Sequence, residues 1–433
     1  EVARKIAEDL MPSLARAYHR RLAELWSMHQ APPPSDGPGT PPNDRAPTPL
    51  PRASEREPDL ADDDTATGFE VRAAEHAEAA GEVELAIEHF LVAARRAEVD
   101  GAMVDALALA TKALTLSDAL AATPTAHRHR ARSLTALGAL HWRNTGMAEL
   151  SLTRARELLE RAAAEAERSG DVATEASAPA TLAAVCYDIG DDDDLQRALA
   201  ELTIAHELLA NAKRGADAAR LLNDQAAVWV RLGDMQRATE LLRQSQQTFA
   251  ALAKESPVAR LELAETEHLL ARLLLHAPAD AELPAEALEA ALAHASTAES
   301  LYASLDIDRE AARVWETQAR LLSRRDDWDQ AAQKLLDAAA TQHQIGDAVG
   351  LARTTAALSE VLLRVGRIAP AVQALADSIA LNTDTGSRIG LRFNRESLAA
   401  LHRGLSKDEL AALTSSLTEL SVELDRAEAL LDK

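Results

Sequence analysis

One cysteine, Cys186, stands alone among 433 residues, so no disulfide can form within the chain. That usage fits a reducing compartment, and a cytoplasmic location is the expectation. Aromatic residues make up only 3% of the sequence, and β-branched residues are too scarce for a sizeable sheet. No apolar run approaches the roughly 18–20 residues that a membrane-spanning helix needs, and no signal peptide is visible. Positive charge is short as well: 46 Lys and Arg stand against 69 Asp and Glu, a net charge of −23. Sequence-independent binding to nucleic acid needs excess cation to displace phosphate counterions, and this chain carries the opposite excess. The same charge repels an anionic membrane. Signatures of catalysis are missing too. There is no G-x-S-x-G elbow, no H-E-x-x-H, no cysteine pair for zinc and no G-x-x-x-x-G-K-[ST] loop. The expectation is a chain with no enzyme activity, cofactor or metal of its own.

What remains is rich in alanine, leucine and charge, which is helix-forming material. Proline concentrates in one place. Ten of the 17 prolines lie in residues 31–66, in "APPPSDGPGTPPNDRAPTPLPRASEREPD". Such a segment buries too little apolar surface to offset its ordering entropy and reads as a disordered linker, with a docking role for its proline clusters as the alternative. Before it, residues 1–30 are amphipathic and helical in pattern. Because the chain begins at Glu1 and not Met, it is expected to be a piece of a longer protein. "DLADDD" at 59–64 places acid just ahead of a helix, where the helix dipole favours it.

From residue 67 onward the sequence repeats itself. "HAEAAGEVELAIEHFLVAARRAE" gives the template: a small residue, a bulky apolar residue four places on, and a small residue three beyond, as in Ala86, Phe90 and Ala93. It recurs as Ala155-Leu159-Ala162, Ala198-Leu202-Ala205, Ala238-Leu242-Ser245, Ala331-Leu335-Ala338 and Ala371-Leu375-Ser378. The leading alanines keep register: 198 and 238 lie 40 apart, as do 331 and 371. The longer gap between 238 and 331 leaves room for one enlarged unit. Five places before a leading alanine stands a turn residue, Gly81, Gly233, Asp326 or Gly366, suited to the left-handed conformation that ends a helix. "SGD" at 169–171, "IGD" at 345–347 and "DTGS" at 384–387 separate one hairpin from the next. Each unit is a helix hairpin of about 40 residues that cannot bury its flanks alone, so the units must stack. The expected units are 131–171, 172–217, 218–257, 258–308, 309–347 and 348–387. Segment 67–130 holds a first hairpin plus a helix near 102–119, and 388–433 caps the stack.

This pattern resembles the tetratricopeptide repeat, which has small residues at its eighth and twentieth positions. Alignment on Gly233 puts Ala226 at 8, Trp229 at 11, Ala238 at 20 and Leu242 at 24; alignment on Asp326 puts Trp315 at 4, Ala319 at 8 and Ala331 at 20. The resemblance spans about 67–400, with units longer than the usual 34 residues and no Tyr at position 11. It implies an all-α, right-handed superhelix (a solenoid) of antiparallel helix hairpins. A narrower resemblance lies at the front. The segment around residues 76–98 is similar to the start of the repeats in large bacterial STAND-type ATPases, among them regulatory regions of class III cyclases, serine/threonine kinases and maltose-activator-like transcription regulators. In those proteins the repeats follow a winged-helix domain ending in a pattern similar to "EVA…LMPSLARAYHRRLAELW", matched here by Glu1, Val2, Pro12, Leu14, Arg16, His19, Arg20 and Ala23. The proline-rich insertion is a departure from that family. The resemblance implies a signal-sensing, protein-binding region in the cytoplasm, with an ATPase module upstream in the same polypeptide. A stand-alone scaffold or adaptor binding acidic peptides is the alternative.

Transferring the groove positions of tetratricopeptide arrays gives Arg220, Asn223 and Arg231 from one unit, Arg313, Arg320 and Arg324 from another, and Arg353 and Arg364 from the last. Guanidinium groups pair bidentately with carboxylates, so an acidic peptide or protein is the implied partner. The other reading is that arginine is simply the solvated residue of these helix faces. Two further clusters stay open. Asp191 to Asp194 either cap a helix or hold a divalent cation, and "HRHR" at 127–130 is either an exposed helix start or a metal or phosphate site.

Overall fold

A computed structural model describes residues 66–144, 151–278 and 281–431. The expected winged-helix tail and proline-rich linker lie outside the described residues. The chain divides after Leu232 into two compact units.

The first unit holds eight helices: α1 (Ala66–Ala80), α2 (Val83–Val99), α3 (Met103–Asp118), α4 (Pro124–Arg143), α5 (Leu152–Glu167), α6 (Val172–Ile189), α7 (Asp192–Asn211) and α8 (Gly215–Arg231). The second holds nine: α9 (Met235–Leu252), α10 (Pro257–Leu273), α11 (Ala285–Ala303), α12 (Asp308–Arg324), α13 (Trp328–Gln344), α14 (Ala348–Arg364), α15 (Ile368–Asp384), α16 (Arg388–Gly404) and α17 (Lys407–Leu431). No strand occurs among the described residues. Within each unit consecutive helices pack as antiparallel hairpins stacked side by side, the all-α repeat architecture expected of the sequence.

The template residues explain the stacking. In all six triplets every member is at most 4% exposed. Alanine or serine at the crossing points lets two helix axes approach, and the leucine or phenylalanine between them fills the space. In α2 the apolar residues form two stripes. Ala86, Ile87 and Phe90 meet Ala74, Ala77 and Ala113, whereas Ala94 and Ala97 meet Met103 and Ala106. The helix α3 therefore packs onto α2 as part of the same stack. The turn residues Gly81, Gly233, Asp326 and Gly366 all have φ between 60° and 83°.

Two local differences from the sequence expectation have plain causes. The helix of the 131–171 unit starts earlier, at Pro124, because Thr123 caps it by accepting from the Ala126 N–H at 3.1 Å and proline suits the first turn. The enlarged unit is α10–α11, joined by a 3₁₀ turn at Leu274–His276 and the residues that follow it. Its bulky template position is Ala295, and the buried Leu288 and Tyr302 supply the missing volume.

Several alternate helices also touch: α2 with α4 and α4 with α6 in the first unit, α10 with α12, α12 with α14 and α14 with α16 in the second, where α15 touches α17 as well. The even-numbered helices are taken as the inner layer of each unit, as in the tetratricopeptide-like fold.

Candidate functional site

The inner layer of the second unit presents one side-chain stripe in register. Helices α12, α14 and α16 begin at residues 308, 348 and 388, 40 apart. Their buried faces match position for position, with Val314, Thr354 and Asn394 all inside. The opposite faces therefore also match. They carry Arg309, Arg313, Glu316, Arg320 and Arg324 on α12, Val349, Arg353, Ala356, Glu360 and Arg364 on α14, and Ile389, Phe393, Glu396 and Ala400 on α16.

The structure places all five of the expected groove arginines of this unit on that stripe and gives most of them work inside the stack. Glu316 is the hub. Its carboxylate accepts from Arg353 Nε at 2.8 Å and Nη2 at 3.1 Å, from the Thr354 hydroxyl at 2.9 Å and from the Gln342 amide at 2.7 Å. One carboxylate thus joins α12, α13 and α14. Arg313 donates to Glu310 at 3.0 Å. Arg324 donates to the carbonyls of Pro278 and Ala281 at 2.8 and 3.2 Å, tying down the connection into α11. The Arg364 guanidinium lies over the Trp328 ring at 5.6 Å. Arg320 is exposed to solvent. Behind the stripe Glu299 of α11 accepts from Trp315 and Gln318, each at 2.7 Å. Burial pushes its carboxyl up, but those hydrogen bonds and the Lys334 charge outweigh it and hold it below the usual range.

In the first unit Asn223 is buried in α8 and Arg220 is half-buried. Arg231 lies 4.7 Å from the Tyr187 ring and donates to the Tyr187 carbonyl. It belongs to a row of links between successive inner helices. Arg143 grips Glu98 with two hydrogen bonds at 2.7 and 2.6 Å, and the Trp142 indole donates to Asp188 at 2.6 Å. Burial pushes the Asp188 carboxyl up.

The remaining clusters have partners within the fold. Asp191 caps α7 by accepting from the Asp194 N–H at 2.8 Å, Asp194 is buried against Arg156, and Asp192 and Asp193 are exposed in the first turn. Residues 127–130 do not start a helix but lie within α4, which begins at Pro124, and their side chains are engaged. His127 meets Glu165 at 2.7 Å, His129 is buried, and Arg130 donates to the carbonyls of Ser117 and Leu120 at the end of α3. Cys186 is fully buried in the core of its hairpin, and burial raises its thiol pKa. Among the described residues no three His, Cys, Asp or Glu side chains converge as metal ligands would, and no helix is long and apolar enough to cross a membrane.

The sequence reading did not pick out the carboxylate hubs at Glu316 and Glu299, nor Ile389 and Phe393. The last two were within reach, because stepping 40 residues from Arg313 to Arg353 leads to Phe393.

No protein-family model matches the sequence, and no curated protein matches it significantly. Solved structures do resemble it. The apo form of RapI superimposes with a TM-score of 0.50 at 11% identity, over 68% of this chain and 97% of that one. A STAND signal-transduction ATPase with a tetratricopeptide repeat sensor, from Pyrococcus horikoshii, gives 0.49 at 14% identity over 84% of this chain. This chain spans about half, 52%, of that protein's length. A Rap protein complexed with competence and sporulation factor gives 0.48 at 13% identity, over 81% of this chain and 96% of that one. At such identities the likeness is one of fold, a tetratricopeptide-like helical repeat.

Proposed function

We propose that this chain is a non-catalytic protein- or peptide-binding repeat region whose inner faces receive the partner. The observation that carries the reading is a concentration of arginine on one face. In a protein of net charge −23, helices α12 and α14 place six arginines, Arg309, Arg313, Arg320, Arg324, Arg353 and Arg364, on a single inner stripe. Arginine is among the residues that dominate binding energy at interfaces, and it pairs with the carboxylates of an acidic partner. On the resemblance of residues 1–30 and 76–98, the parent protein is a cytoplasmic STAND-type regulator with an ATPase module ahead of Glu1. The repeats hold its resting state, and a partner that favours the open arrangement shifts the population. A phosphate-binding loop in the gene upstream of Glu1 supports that parentage. An initiator methionine close by favours a stand-alone adaptor.

Arg320 is an exposed member of the stripe and serves as its probe. Charge reversal at Arg324 would also release the carbonyls of Pro278 and Ala281, so it confuses binding with folding. Partners captured by the full chain are identified, and the affinity of each is measured for Arg320→Glu. A loss of about tenfold or more with an unchanged helical circular-dichroism spectrum is expected. Unchanged affinity removes the arginine stripe as the recognition surface.

A further inference from the structure

We infer that the chain pairs with a second copy of itself through α16, the two helices lying antiparallel about a two-fold axis at the level of Asn394. This goes beyond the partner-binding reading above and does not depend on it.

The helix α16 has two contrasting faces. Leu391, Leu398 and Leu401 are buried against α15 and α17, with Asn394 and Ser397 buried beside them. The opposite face carries Ile389, Arg392, Phe393, Glu396 and Ala399, all exposed, and the half-buried Ala400. Ile389 and Phe393 are 64% and 54% exposed and one helical turn apart, an apolar pair of the kind that marks a contact surface. Arg392 and Glu396 are of opposite sign and also one turn apart. Neither forms a side-chain hydrogen bond or ion pair among the described residues. Arg395 differs, because it already holds Asp425 at 2.8 Å and Glu428 at 2.6 Å.

A two-fold pair makes every contact twice, so such a face must complement itself. This one does when the two helices run antiparallel. With a rise of about 1.5 Å per residue, Arg392 lies about 3 Å before Asn394 and Glu396 about 3 Å after it. Arg392 of each copy therefore faces Glu396 of the other, and a guanidinium–carboxylate pair forms on both sides of the axis. Ile389 lies as far before Asn394 as Ala399 lies after it. Each isoleucine thus rests on Ala399 and Ala400 of the second copy, whose small side chains let the helices approach. The two Phe393 rings meet beside the axis, offset by about 3 Å. A parallel pair would set Arg392 against Arg392 and Glu396 against Glu396. The charge of the whole chain favours the same place. Two chains of net charge −23 repel each other, but α16 carries Arg388, Arg392, Arg395 and Arg403 against the single acid Glu396. One helix against its copy is at the small end of interface sizes, so the dimer forms and dissociates reversibly.

Sedimentation velocity of the full chain over roughly 1–200 μM should show a monomer–dimer equilibrium. Phe393→Ala and Ile389→Ser should each weaken the dimer by about tenfold or more, with an unchanged helical circular-dichroism spectrum. Arg392→Glu and Glu396→Arg should each be monomeric alone, because like charges then face each other across the axis. Mixed in equal amounts, these two variants should form a heterodimer, because every facing pair is opposite in sign again. That rescue by mixing separates a contact between chains from one within a chain. A chain that stays monomeric over the whole range overturns the inference. A dimer that Phe393→Ala leaves intact also overturns it, as does a mixture of the two charge variants that remains monomeric.

Discussion

At the scale of single residues, the groove arginines show why a side chain's job is hard to read from its position. The spacing placed Arg313, Arg320, Arg324, Arg353 and Arg364 on one stripe, but it could not show that Glu316 holds Arg353 from 37 residues away. An acidic ligand must compete with that intramolecular carboxylate or use the guanidinium groups left facing solvent. The hub also has a stability role. Glu316→Ala leaves Gln342, which is buried, and Arg353 without their acceptor, while Thr354 loses its partner inside the stack. Leaving the buried Gln342 amide without that acceptor costs about 1–3 kcal/mol, and the exposed Arg353 pair adds little. Urea denaturation of Glu316→Ala should show a loss of about 1–2 kcal/mol. A change below about 0.5 kcal/mol would mean that the surrounding donors find water instead.

At the scale of helices and turns, most of the architecture was legible. Small-bulky-small triplets identify the buried stripe of a helix because alanine there is a geometric requirement and not a composition effect. The template failed at α11, where Ala295 takes the bulky place and Tyr302, eleven residues after Ala291, fills the gap from another turn. The bulky side chain stands on another turn, and a fixed pattern cannot detect that. The turns carry a similar lesson. Lys213, between α7 and α8, sits at φ 60° with no glycine to ease it. A side chain in the left-handed region costs about 1–2 kcal/mol, and the extra freedom of glycine in the unfolded chain takes back about 0.5–1. Lys213→Gly should therefore stabilise the protein by about 0.5–1 kcal/mol, read as a higher melting temperature. No change or a lower melting temperature would show that the lysine contributes something the backbone does not reveal.

At the scale of the whole molecule, burial of polar groups between hairpins makes stability depend on pH. His268 is held well below the ordinary histidine value, first by burial and then by the charges of Arg272 and Arg313. His129, His141 and His276 are lowered as well, each mainly by burial. The unfolded chain takes up protons near pH 6.5 and the folded one does not, so the stability these groups confer is complete above that pH and declines below it. Each such histidine contributes at most about 1.4 kcal/mol per pH unit. Asp188 and Glu201, pushed up by burial, act in the opposite sense. Asp171, held low by the Thr174 hydroxyl, loses its contribution only when pH falls through the carboxylate range. The melting temperature should therefore fall between pH 7.5 and 5.5, and by less in His268→Gln. An equal fall in that variant would discount His268. The sequence by itself determined the helical class, the length of the repeat and the buried triplets, because those depend on periodicity within one helix. The tertiary structure alone decided which inner-face arginines are already paired and where the exposed apolar pair stands. Partners some 40 residues apart meet only after the hairpins stack, and no local pattern records that meeting.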